Sequence, residues 1–202
     1  MEQVHRYFIL NKPINMVSQF VSSHAVNLLT SIPFQFPEGT HAVGRLDSNS
    51  EGLLILTTNK KVTRLLFQGE KPHERTYLVL VNNKVSEENI TRLQNGVELI
   101  IENGATYNSA CKAEIVADPP FNFNSPYIMI EHLDYTWLRI SLTEGKFHQV
   151  RKMVKAIGHK VKRLVRVSIE NLELGNLQPG EVMELDETNF FSLLGIENTS
   201  IK

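Results

Sequence analysis

Three segments of this 202-residue chain carry side chains suited to a reaction site. In the first, HAVGRLDSNSEGLLILTTN, Asp47 sits in a polar stretch flanked by Gly44 and Gly52, directly ahead of an apolar run. Glycines and short polar residues at the foot of a buried strand specify a tight loop, which presents a side chain from a rigid base. A carboxylate held that way is a competent covalent nucleophile when ionised. The same residues equally describe a β-turn in which Asp47 caps its own backbone, and on physics alone that reading is favoured.

The second segment, ERTYLVLV, places Tyr77 among leucines and β-branched residues, with Arg75 two positions earlier. A phenol facing outward could contact a nucleobase, whereas an aromatic within such a strand is more often core. The third, LTEGKFHQVRKM, brings Lys146, His148, Gln149, Arg151 and Lys152 together where a glycine turn leads into a helix. Cations beside a helix N-terminus suit an anion such as phosphate, and they also suit an ordinary solvated turn.

Charge sharpens the third segment. The net charge is −1, so nucleic-acid binding requires local segregation of charge, not a uniformly basic surface. Between Glu144 and Arg166 lie Lys146, Arg151, Lys152, Lys155, Lys160, Lys162, Arg163 and Arg166, with Glu144 the sole carboxylate of that stretch. Read alone, the run is a solvated helix face. The single cysteine, Cys111, cannot form an internal disulfide and reads as a buried, inert thiol in a reducing compartment. No apolar run approaches the roughly 20 residues that span a bilayer, and the N-terminal stretch carries charges unlike those of a secretory signal, so a cytoplasmic location without membrane attachment is expected.

The elements that must position these groups follow from pattern. Arg6 to Asn11 reads as a strand entering a Lys12-Pro13 turn, and Ser23 to Leu29 as a short helix. Leu53 to Thr58 is a buried strand, Asn59 caps a helix through about Phe67 that closes at Gly69, and Arg75 to Val81 is a core strand. Ser86 caps the next helix, whose first turn holds Glu87 and Glu88 and which ends near Gly96. Val97 to Ile101 and Ala110 to Ala117 are expected to form one hairpin around Asn103-Gly104, and Tyr127 to Leu133 with Thr136 to Leu142 another near Asp134. Val150, Met153, Val154 and Ile157 recur at helical spacing from about His148 to Ile157, ahead of Gly158. Two late strands and a short helix complete the chain. Strands outnumber helices and hairpins recur, which predicts an α+β fold with a mixed, largely antiparallel sheet in one compact unit.

Taken together, GRLDxxSxGLLxLT, a basic residue and Thr before Tyr-Leu-Val, EGKxHQVRKM and a GHKVKRLVR-like strand, in this order, resemble the RsuA-type pseudouridine synthases from Arg6 to Leu185. The opening RYFILNKPINMVSQF, the stretches NGVELIIENGATYNSACKAEIV and YTWLRISLTEGKFHQVR, and the lack of room for a preceding S4-type domain resemble the large-subunit RluE branch. Arg75 departs from the lysine many relatives carry there, which preserves charge but not geometry.

The resemblance implies a pseudouridine synthase fold, with helices flanking the sheet and a central RNA-binding cleft, forming a single catalytic domain over 1–202. It implies isomerisation of a uridine in ribosomal RNA, expectedly 23S rRNA of the large subunit or its assembly intermediate, by a monomer without cofactor or metal. Asp47 is then the catalytic carboxylate, Tyr77 the residue contacting the target base, and Arg151 the cation paired with Asp47. Arg45 resembles the residue that fills the space left by a flipped base or holds the flipped backbone. Arg75, Lys146, His148, Gln149, Lys152, Lys155 and Lys162 complete the expected RNA-binding set. A transfer-RNA pseudouridine synthase and a non-catalytic RNA-binding assembly factor are the alternatives; a pure binder gains nothing from an acidic Asp47 beside phosphate.

Overall fold

A computed structural model describes residues 4–67, 69, 71–100, 104–117, 119, 130 and 132–196. In chain order its elements are β1 (Tyr7–Lys12), a 3₁₀ turn (Leu29–Ser31), β2 (His41–Val43), β3 (Glu51–Thr57), α1 (Lys61–Phe67), β4 (Arg75–Asn82), α2 (Glu87–Asn95), β5 (Val97–Ile100), β6 (Thr106–Ser109) and β7 (Lys112–Val116). They continue as β8 (Tyr135–Leu142), α3 (Gln149–Ala156), β9 (Val161–Ile169), β10 (Leu172–Glu173), β11 (Val182–Leu185) and α4 (Glu187–Leu193). The chain divides into two compact units, Met1–His73 with Arg166–Lys202, and Glu74–Val165.

In the first unit β1 lies between β11 and β3, antiparallel to both, with Ile9 opposite Met183 on one side and Ile55 on the other. Every residue of β1 and β3 is buried, as expected of strands covered on both faces. β2 pairs with the far edge of β3, and β10 folds back on the last residues of β9. The C-terminal helix closes one end of this core: the Tyr7 ring stacks on Phe190 at 4.6 Å and meets Phe191 edge-on at 5.4 Å. Asp186 caps that helix by accepting from the Asn189 amide at 2.9 Å.

In the second unit β8 lies between β4 and β7, antiparallel to both, so that Tyr77 stands opposite Ile140 and Ala113 flanks Ile140 on the other side. α2 and α3 pack on this sheet through Ile90, Leu93, Val150, Met153, Val154 and Ile157, which join Val79, Val81, Leu138 and Ile140 in one core. β5 and β6 form a separate two-stranded sheet.

Several expected elements stand where the pattern put them. The strands at 6–11, 53–58 and 75–81, the Ser86 cap accepting from Asn89 N–H at 3.2 Å, and the helix ahead of Gly158 are present. Two expectations are corrected. Residues 23–28 are not helical and Leu29 only opens the 3₁₀ turn; the Val17 amide donates to the Asn27 carbonyl at 2.9 Å and the Leu29 amide to the Gln19 carbonyl at 2.9 Å, closing a loop whose backbone groups are spent across it and not along a helix. The partner of β5 is 106–109, not 110–117. Cys111 instead donates its amide to the Leu93 carbonyl at 3.1 Å, which turns the chain so that β7 joins β8. Parts of the expected turn at 103–104, the close of α1 at 68–70 and most of the expected strand at 127–133 lie outside the described residues.

Candidate active site

The Asp47 loop belongs to the first unit and is fixed from three sides. Gly44 has φ 72°, and a Cβ there would come within 2.7 Å of the Phe67 ring, so the helix end at Phe67 packs directly on the loop backbone. Ser18 holds Leu46, the residue before Asp47: its hydroxyl accepts the Leu46 amide and donates to the Leu46 carbonyl, each at 3.0 Å. On the far side the Ser50 amide donates to the Asp47 carbonyl at 3.0 Å, and the Asn15 amide to Ser48 at 2.7 Å. Gly52, the second residue of β3, follows at φ 100°, where a Cβ would lie 2.3 Å from the Arg166 carbonyl oxygen. Only glycine permits that approach. The result is a half-buried Asp47 between an exposed Arg45 and a buried Ser50.

Beneath the loop lies a cluster of buried charge that sequence reading missed. Lys12 is 0% exposed at the end of β1, and its ammonium donates to the Pro13 and Met16 carbonyls at 2.8 and 2.7 Å. Burial pushes its pKa down to about 8, opposed by the carboxylates of Glu51 and Asp47 and reinforced by Arg166. Arg166, also buried, donates through Nε to the Leu53 carbonyl at 2.8 Å. A lysine wedged between an apolar strand and a proline was the available signal, since a solvated turn lysine has no reason to follow YFILN.

The other expected residues belong to the second unit. Tyr77 is half-buried on β4 and packs partly against the core of that unit. Arg151 is half-buried in the first turn of α3. Arg75 is buried and donates to the Thr143 carbonyl at 3.3 Å. Gln149 is only 3% exposed: its amide nitrogen donates to Ser109 at 2.8 Å and to Glu144, and its amide oxygen accepts the Lys146 N–H at 2.9 Å.

Glu144 is the hub of this network. Ser109 donates to it at 3.1 Å and the Lys146 ammonium approaches within 3.0 Å. Burial opposes its ionisation, but the bonds from Lys146, Gln149 and Ser109 outweigh that effect and hold its carboxyl below the usual carboxylate value. The lone carboxylate of the basic stretch is therefore occupied internally. Lys146 also lies 3.5 Å from the Tyr107 ring centroid. Lys155 is exposed, Lys152 and Lys162 are half-exposed, and His148 sits at the N-cap of α3 in the left-handed region. An open groove of about 460 Å³ beside β7, lined by Gln94, Lys112, Glu114 and Arg139 among others, includes none of the expected site residues.

Comparison with known proteins gives this arrangement its context. The family model described as RNA pseudouridylate synthase matches residues 6–156. "Ribosomal large subunit pseudouridine synthase E" of Vibrio parahaemolyticus is 35% identical over 185 residues, covering 91% of this chain and 75% of the relative. An "Uncharacterized RNA pseudouridine synthase" of Aquifex aeolicus is 34% identical over 199 residues, covering 96% of this chain and 73% of that one. A solved structure, "Crystal structure of pseudouridylate synthase", superposes with a TM-score of 0.76 at 27% identity over 96% of this chain and 75% of its own. The match runs through the Asp47 loop, β4 and α3, and the chain belongs to the RNA pseudouridylate synthase family, in its RsuA-type, RluE-like branch.

Proposed function

We propose that this protein converts one uridine of ribosomal RNA to pseudouridine, with 23S rRNA of the large subunit as the target. The observation that carries the reading is the 35% identity, over 91% of this chain, to a relative named as a large-subunit pseudouridine synthase. The rigidly held Asp47 loop supports it, because a nucleophile must be positioned before substrate arrives.

In this reading Asp47 is the catalytic carboxylate, Tyr77 contacts the target base, and Arg151 is the cation paired with Asp47, as the family resemblance implies. The target uridine leaves its stack, with Arg45 filling the vacated space or holding the flipped backbone. The bond from ribose C1′ to uracil N1 breaks, the base turns, C1′ joins C5, the C5 proton departs and N1 takes up a proton, so the product is an isomer and no cofactor or metal is required. Lys152, Lys155 and Lys162 supply phosphate contacts whose strength falls with salt. The whole chain acts as one catalytic domain, a monomer in the cytoplasm.

Mapping pseudouridine in ribosomal and transfer RNA from a strain lacking this gene tests the reading. Loss of one modification from 23S rRNA supports it. Loss confined to transfer RNA assigns the chain to a different substrate, and an unchanged map removes the activity.

A further inference from the structure

Phe147 precedes α3 and is 60% exposed, although it is flanked by polar residues that could have stood there at no cost in wetted apolar surface. Its setting is ordered. His148 adopts φ 54° and ψ 26°, a left-handed conformation uncommon for a residue other than glycine. That conformation lays the imidazole nearly flat on the Phe147 ring, with centroids 3.9 Å apart and planes 17° from parallel. One face of the phenyl ring is thereby backed by a second ring, while the residue as a whole is still 60% exposed.

The surroundings are cationic. The Lys152 ammonium lies 5.9 Å from the Phe147 centroid and is anchored on the Ile100 carbonyl at 3.0 Å. Lys146 adjoins Phe147 in sequence, and Glu144, which could have repelled an anion, is already engaged by Lys146, Gln149 and Ser109. A stiff aromatic face with the Lys152 ammonium beside it fits a nucleobase on its ring and a phosphate at its rim; an apolar protein partner would take that ammonium group out of water. Arg151, assigned above to the reaction, stands in the first turn of the helix that follows.

We propose that the Phe147–His148 pair is a stacking platform for an unpaired nucleobase of the substrate RNA. The proposal rests on RNA being the substrate, as set out under Proposed function. It adds a binding device: a base held here gives the protein a grip on unpaired RNA beyond its phosphate contacts.

The test uses the full chain and an unstructured single-stranded RNA oligonucleotide of mixed sequence, beside the same sugar–phosphate strand with abasic positions throughout. Filter binding should show Phe147→Ala weakening the base-bearing strand by about tenfold, with Phe147→Trp restoring it and Phe147→Leu failing to. On the abasic strand all four proteins should bind alike. Equal affinity of Phe147→Ala and wild type for the base-bearing strand overturns the proposal. So does an equal loss on both strands, which marks a backbone contact, or rescue by leucine, which marks plain apolar contact. Thermal melts of each variant, expected to match wild type for so exposed a position, separate folding from binding. Because oligonucleotide binding is independent of which cellular RNA is modified, an altered modification map would fault the assigned target and leave this result standing.

Discussion

Ser18 and Leu46, 28 positions apart in the chain, are joined by a hydroxyl that engages both the amide and the carbonyl of Leu46 at 3.0 Å. The contact fixes the residue before Asp47 from a loop that closes on itself at residues 17–29. Replacing Ser18 with alanine removes both bonds from a buried place and should cost about 1–3 kcal/mol of stability. Turnover should suffer beyond that. If the loop relaxes, the carboxylate is misplaced, and at saturating RNA below the unfolding transition the rate should drop by roughly tenfold or more. Urea unfolding and tritium release from C5-labelled uridine RNA measure the two effects separately.

Gly52 meets the Arg166 backbone so closely that a methyl group has no room, and its φ of 100° is unfavourable for any other residue. Gly52→Ala should therefore destabilise the protein by about 2 kcal/mol or more, through both strain and displacement of the strand that follows Asp47. Chemical denaturation against wild type checks it; a change within experimental scatter would show that β3 and the Arg166 segment separate easily.

Lys12 gives a pH signature. Its pKa is near 8 in the folded protein and 10.5 for the free side chain, so between those values the unfolded chain binds more protons than the folded one. Stability contributed by this group must then rise with pH across that window: the cost of a buried ammonium is fully present below pH 8 and gone above 10.5. The span is on the order of 3 kcal/mol. Subtracting the unfolding free energies of Lys12→Met from those of wild type, from pH 7 upward, isolates it from other titrating groups. A flat difference would mean that Lys12 is solvated.

Gln149 separates a structural role from RNA contact. With its amide engaged by Ser109, Glu144 and the Lys146 backbone, Gln149→Ala should lose about 1–3 kcal/mol of stability. RNA affinity measured well below the melting temperature should change far less than on reversing the charge of Lys152, Lys155 and Lys162 together. That triple reversal should also flatten the salt dependence of binding, by a slope change near the number of phosphate contacts removed. Filter binding over a salt series, paired with melting curves, distinguishes the two variants.

Local signals made much of this legible in the sequence. The unbroken apolar run of β3, the serine and paired glutamates opening α2, and the 3.6-residue recurrence through Val150, Met153, Val154 and Ile157 each announce an element without help from the rest of the chain. What escaped depended on distant partners. The segment 110–117 has the composition of a strand, but nothing local says that β8 and not β5 will pair with it. Residues 23–29 resemble a short helix until their backbone groups are satisfied across a loop. At the site, the Asp47 loop stood out by its glycines, whereas the burial of Gln149 could not be read from a residue type that is ordinarily solvated, and that of Lys12 was signalled only by its place between an apolar strand and a proline.

Asp47→Asn addresses the central claim most directly. The amide keeps the size and most hydrogen-bonding capacity of the carboxylate but cannot act as the nucleophile. The variant should fold and bind RNA like wild type while releasing no tritium above background from C5-labelled uridine RNA in a single-turnover assay. Wild-type-like release by this protein, with deamidation excluded by mass spectrometry, would contradict the assignment of Asp47 as the catalytic carboxylate.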